Sequence, residues 1–129
     1  AVGIPSVFDG DECGITGITE PEYRKTMQWG CEGSLIEFYQ KCIKIRKNSK
    51  ALCTGTYETL ICEDKNEIYG FARKTKEETM VVIMNMGEKE QKITIPGAKH
   101  QWLDVFSDEK QDGNQIVCKG MSGIILRKM

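Results

Sequence analysis

Carboxylates crowd one stretch of the chain, Asp9-Gly-Asp-Glu-Cys-Gly-Ile-Thr-Gly-Ile-Thr-Glu20, at a spacing that could hold a cation. Counted as twelve positions, it has Asp at one and three, Gly at six and Glu at twelve, four landmarks of an EF-hand calcium loop. The surroundings speak against that chemistry. An EF-hand loop lies between two helices, whereas Pro5 and the run Ile4-Pro-Ser-Val-Phe8 make the entrance a strand. Position five is Cys13 instead of an oxygen ligand, and position eight is Thr16 where an apolar residue would pair two loops. No metal site is expected here, and no cofactor.

The other chemistry-bearing residues are scattered. Six cysteines (Cys13, Cys31, Cys42, Cys53, Cys62, Cys118) include no CxxC pair, and the single histidine, His100, leaves no zinc-type cluster. The plain expectation is buried, reduced thiols in a cytoplasmic protein. A structural disulfide is the alternative, and Cys13 and Cys31, which flank one loop, are the pair for it. His100 has no second His, Ser or Cys arrangement within reach by sequence, so it is expected to be structural or exposed. The run Met80–Met86 alternates thioethers with Val and Ile and predicts a buried strand, not a metal box.

These residues must be positioned by a chain of 129 residues, enough for one ordinary domain or a small domain with an appendage. Forty per cent apolar and 29 % charged residues make a globular composition, and the net charge of −1 is spread without a basic block. Nucleic acid and anionic membranes are therefore not expected partners. No apolar run is long enough to span a bilayer. The chain opens on AVGIPSVF, without an initiator Met or a charged leader; it is not an intact signal peptide and is expected to be cut from something larger.

Two organisations succeed one another, changing near residue 50. A short strand over Gly3–Phe8 leads into a polar, Gly-rich loop reaching to about Gly33. Ser34-Leu-Ile-Glu37 is a capping-box pattern, and Leu35, Phe38, Tyr39, Cys42, Ile43 and Arg46 recur at helical spacing; together they predict an amphipathic helix over Ser34–Lys47 with Asn48 as a left-handed stop. From there the chain reads as seven strands: 57–62, 68–73, 80–86, 91–95 (ended by Pro96-Gly97), 101–105, 115–118 and 123–127. That is the signature of an antiparallel Greek-key sandwich. Strand, loop and helix at the front make half of a βα repeat, and a parallel strand needs like partners on its flanks. Residues 1–50 thus read as the last unit of a larger α/β fold.

The residues of that front unit resemble a known family. Gly3-Ile-Pro-Ser-Val-Phe-Asp-Gly-Asp-Glu-Cys-Gly14, Glu20-Pro-Glu-Tyr-Arg-Lys-Thr-Met-Gln-Trp29, and the later Phe38-Tyr39, Ile45-Arg46-Lys47, Ala51-Leu52, Gly55 and Tyr57 resemble the end of glycoside hydrolase family 13, the α-amylase family. The branch they are most similar to is that of the cyclomaltodextrinases and neopullulanases. The resemblance implies a mainly β chain: the last strand-loop-helix unit of a truncated (β/α)8 barrel in residues 1–50, then a C-terminal all-β domain in 51–129. It implies a parent that cleaves α-1,4 or α-1,6 glucosidic bonds with retention, using two carboxyl groups about 5–5.5 Å apart. In the family these, and a third carboxylate, stand on strands four, five and seven of the barrel. A chain starting at strand eight would hold none of them, so no catalytic residue is expected here and the chain alone should not hydrolyse.

By the same resemblance Glu20 and Arg24 occupy the family's Asp and Arg that bind a sugar, the carboxylate accepting from hydroxyls and the guanidinium fork donating to them. Glu20 stands for Asp, Tyr23 for Cys, Thr26 for Pro and Asp9 for the usual Tyr. Asp11 and Glu12 are expected to organise the loop, Trp29 to pack it against the barrel, and Trp102 to lie in the core instead of stacking on a sugar ring. The expected partners are the missing barrel, an α-glucan or maltooligosaccharide reached through the parent enzyme, and a second copy of the chain through apolar surface left exposed on Ile4–Phe8 and on the helix stripe. Two rival expectations are an independent carbohydrate-binding β module and a plain interaction or structural β domain.

Overall fold

A computed structural model describes residues 3–96 and 100–129 of the chain; Gly97, expected to end a strand with Pro96, lies outside the described residues. The chain divides into two compact units, one reaching to Lys44 and the other covering Ile45–Met129.

Among the described residues the β unit holds eight strands: β1 (Thr56–Glu63), β2 (Ile68–Lys74), β3 (Thr79–Asn85), β4 (Gln91–Ile93), β5 (Gln101–Asp104), β6 (Glu109–Asp112), β7 (Ile116–Cys118) and β8 (Ser122–Lys128). All pairings are antiparallel; six strands form one sheet in the order β1-β2-β3-β8-β5-β6, and β4 pairs with β7 in a second. The connection from β3 to β4 leaves the large sheet, and β8 returns between β3 and β5, which makes the sequence of strands and their spatial order differ.

Register explains the core. Ala72 pairs with Val81, Val81 with Leu126, and Ile83 with Ile124, so these side chains share one face. Against that face the small sheet sets Ile93, Ile116 and Cys118, joined by Ile95 and by Trp102 of β5, which is 4 % exposed. The opposite face is covered in part by a short helix, where Ala51 and Leu52 pack with Met80, Val82 and Ile125. Strand β3 is thus buried on both sides, and its unbroken apolar run is the sequence trace of that placement. A register shift between Thr59 and Ile61 lets both Leu60 and Ile61 of the edge strand β1 reach the core. On the other face Tyr57 stacks on Phe71 at 5.2 Å between ring centroids, and the Tyr57 and Tyr69 hydroxyls hydrogen-bond each other.

Seven of the eight strands match the expected ones, with ends shifted by a few residues. Strand β6 was hidden because Glu-Lys-Gln-Asp carries no β-former and earns its place only as a partner of β5 at the sheet edge. Before the strands come a single helical turn, α1 (Glu20–Tyr23), and the longer helix α2 (Ser34–Lys47), whose residues from Ile45 on fall in the β unit. Helix α2 has the expected span, but Ser34 is its first helical residue, and the carbonyl of Gly33 accepts from Glu37 N–H at 3.3 Å. Asn48 is not left-handed; among described residues other than Gly, only Glu67, Asp108 and Met121 have positive φ. The chain instead enters a further helix, α3 (Lys50–Thr54), capped by Ser49, whose side chain accepts from Leu52 N–H at 3.1 Å. Glu78, from the turn before β3, accepts from Ser49 Oγ and Ala51 N–H, both at 2.8 Å, and ties α3 to the sheet.

The strand expected over Gly3–Phe8 is not formed: the segment has no ladder partner among the described residues, and an extended run without one gains no sheet hydrogen bonds. From there the chain passes through a 3-10 turn at Asp11–Cys13 before it reaches α1.

Candidate functional site

The loop from Asp9 to Cys31 is where the sequence places its binding residues, and its construction can be traced residue by residue. Gly10 sits at φ 89°, in the left-handed region open to glycine, and its carbonyl accepts from both Cys13 and Ile15 N–H at 3.0 Å. A side chain there would meet Ile15 as well as the backbone penalty. Asp11 turns back on the chain: its N–H donates to Phe8 carbonyl at 3.0 Å and its Oδ2 accepts from Phe8 N–H at 3.2 Å. The organising role expected for Asp11 is therefore visible. Glu12 has one carboxylate oxygen, Oε2, buried without a hydrogen-bond partner among the described residues.

Helix α1 is set by Thr19-Glu-Pro-Glu22. Glu22 Oε2 accepts from Ile18 N–H at 2.8 Å and Thr19 N–H at 3.2 Å, and Pro21 stands at the helix start where its missing N–H costs nothing. These two backbone donors, Ile18 first, favour the ionised carboxylate and hold the Glu22 pKa below the ordinary range. Glu22 was not among the expected site residues, although Thr19-x-x-Glu22 is a legible capping box.

The turn of α1 brings Glu20 and Arg24 together. They are four residues apart, Arg24 N–H donates to the Glu20 carbonyl at 3.2 Å, and the guanidinium lies 2.8 Å from the carboxylate. Both side chains are well exposed, at 59 % and 70 %, so the pair itself adds under about 1 kcal/mol to stability. Chemically it is an acceptor and a donor fork side by side, a pattern suited to adjacent hydroxyls. Lys25 Nζ reaches Thr16 carbonyl at 3.5 Å across the same loop.

A disulfide closes the loop. Cys13 and Cys31, with Cα atoms 5.8 Å apart, are bonded, which corrects the expectation of reduced, buried thiols. Cys53 and Cys62 are exposed and Cys42 is half-buried; only Cys118 is a buried thiol. Cys62 escapes burial because the bulge in β1 turns it off the core face, and Cys53 falls in the last turn of α3, away from the pair Ala51 and Leu52.

The remaining candidates separate. Trp102 is in the core, as expected, and its indole N–H has no hydrogen-bond partner among the described residues. Trp29 is 88 % exposed and His100 is exposed. Among the described residues no group of three or more His, Cys, Asp or Glu side chains could hold a metal ion, and no helix is long and apolar enough to cross a membrane.

Comparison with known proteins bears on the family. Residues 55–113 match the family described as Alpha-amylase C-terminal domain. The chain is 31 % identical to Neopullulanase 2 of Thermoactinomyces vulgaris over 97 % of its own length and 23 % of that protein. It is 29 % identical to a cyclomaltodextrinase of Thermoanaerobacter pseudethanolicus, over 98 % of its own length and 22 % of the relative. A solved cyclomaltodextrinase structure superposes with a TM-score of 0.82 at 26 % identity, covering 93 % of this chain and 22 % of that one. The chain thus spans between a fifth and a quarter of the length of these two relatives.

Proposed function

Because the chain belongs to the α-amylase family, as its C-terminal part, we propose that it completes an α-glucan-acting retaining glycoside hydrolase whose catalytic carboxylates lie outside it. Residues 1–50 supply the last strand-loop-helix unit of the catalytic (β/α)8 barrel, and residues 51–129 form the C-terminal β domain. The β domain stabilises the barrel. The substrate is a maltooligosaccharide or longer α-glucan, cut at α-1,4 or α-1,6 bonds, and a cytoplasmic location goes with this reading.

The observation that carries it is the Glu20–Arg24 pair, held 2.8 Å apart and presented to solvent on a disulfide-closed loop. Beyond each other, these two groups have no side-chain partner among the described residues of the loop, and their remaining acceptor and donor positions face solvent, where sugar hydroxyls can reach them. The apolar stripe of α2, with Leu35 at 43 %, Phe38 at 52 % and Ile43 at 42 % exposure, is a face for the rest of a barrel to cover. Asp11 and Glu12 shape the loop and do no proton transfer.

The rival is an independent carbohydrate-binding β module. Against it, Trp102 is buried in the core of the β unit, whereas ring-stacking platforms are exposed. Calorimetric titration of the chain with a linear maltooligosaccharide separates the two. The proposal expects dissociation constants no tighter than the millimolar range, since one loop lacks the opposite cleft wall. Micromolar binding that survives in Ile45–Met129 alone would favour the module.

A further inference from the structure

The six cysteines divide unequally: one disulfide, Cys13–Cys31, and four thiols. That disulfide joins the two ends of the loop carrying Glu20 and Arg24, and little else holds the loop. Between the two cysteines lie the single turn of α1, the Glu22 bonds within it, and the Lys25–Thr16 bond across it. Among the described side chains of residues 14–30, all but Ile15 and Met27 are exposed. A segment with so few buried contacts sits at the low end of local stability and depends on covalent closure for its order. Cys13 and Cys31 are both half-exposed, so a small dithiol can reach them. Cys118 is placed otherwise: it is buried, and burial pushes its thiol up, away from exchange.

We propose that Cys13–Cys31 is a reversible redox clamp on the Glu20–Arg24 loop, closed as the disulfide and opened by a dithiol reductant. A thiolate of the reductant attacks one sulfur, the Cys13–Cys31 bond breaks, and the released cysteine thiolate takes up a proton. The second thiol of the reductant resolves the mixed disulfide, forming the reductant's own disulfide and freeing the other cysteine. Two electrons and two protons pass to the protein. Closed, the loop keeps Glu20 and Arg24 in one position; open, it becomes mobile and the pair loses its fixed aim. The clamp itself rests on the loop's construction, and only its consequence for sugar affinity rests on the proposed subsite.

The test uses the full chain, oxidised, with and without dithiothreitol under native conditions. Alkylation after an unfolding quench, with mass measurement, counts thiols, and trypsin added before the quench reports mobility at Arg24 and Lys25. The proposal expects the thiol count to rise from four to six on reduction while the β unit stays folded. It expects cleavage after Arg24 and Lys25 to accelerate about tenfold or more, with cleavage inside Ile45–Met129 unchanged. Wild-type protein alone gives this result, and a Cys13→Ser/Cys31→Ser variant should be cut at the fast rate in both conditions. Equal cleavage rates in the two states would overturn the clamp, as would reduction that occurs only when the β unit unfolds. Faster cleavage on reduction, with KM of the parent enzyme unchanged, keeps the clamp and removes the subsite.

Discussion

Arg24 and Glu20 meet because one helical turn separates them, and an exposed ion pair of this kind orients a guanidinium more than it stabilises a fold. Arg24→Ala in the parent enzyme should therefore raise KM for a maltooligosaccharide about tenfold, the equivalent of one charge-assisted hydrogen bond, and leave the unfolding midpoint unchanged. Steady-state kinetics beside a denaturation curve checks both halves. Glu22 carries a prediction of a different kind. Its folded-state pKa is depressed by the Ile18 and Thr19 donors, so its support of the loop is present above the ordinary carboxylate pKa and is lost as pH falls through the lowered value. The Ile18 and Thr19 amide signals in NMR should shift with that lowered midpoint, and Glu22→Gln should abolish the dependence. At this scale the sequence was partly legible. Trp102 could be assigned to the core from its neighbours, whereas the reading of Asp11 as a loop organiser and the proposal of Glu20 and Arg24 as sugar-binding residues rest on family resemblance. The disulfide was one of two readings, because spacing does not say which loop ends approach each other.

Among the elements, α3 shows how a carboxylate from one place completes a helix in another. Glu78 accepts from Ser49 Oγ and Ala51 N–H, two bonds that anchor the first turn of α3 above Met80. Glu78→Ala should lower the stability of the β unit by about 1–2 kcal/mol, read as a shifted urea midpoint with an unchanged slope. Glu78→Gln, which keeps an acceptor, should recover part of the loss. Central strands were legible because burial on both faces forces continuous apolarity, as in Met80-Val-Val-Ile-Met84. Edge strand β6 and helix α3 were not. The first is polar throughout, and the second is a five-residue segment too short to show helical periodicity, so both depend on partners that only the folded chain brings near. The front strand over Gly3–Phe8 failed for the opposite reason, an apolar pattern without a neighbour to pair with.

For the whole molecule, the apolar surface on Ile4, Phe8, Leu35 and Phe38, between 43 % and 95 % exposed, has a physical consequence in isolation. Light scattering should show an average mass that rises with concentration; a clean monomer at every concentration would count against the proposal that this surface is meant to be covered. The all-β half was readable from turn spacing, and the family from the loop and helix residues. We propose above all that the chain completes an α-glucan hydrolase and carries none of its catalytic carboxylates. The most direct test of this is to incubate the purified chain at high concentration with a linear maltooligosaccharide and measure reducing ends over time. No release above the buffer background is expected. Sustained release proportional to protein concentration, abolished by replacing Asp11 or Glu12, would contradict it.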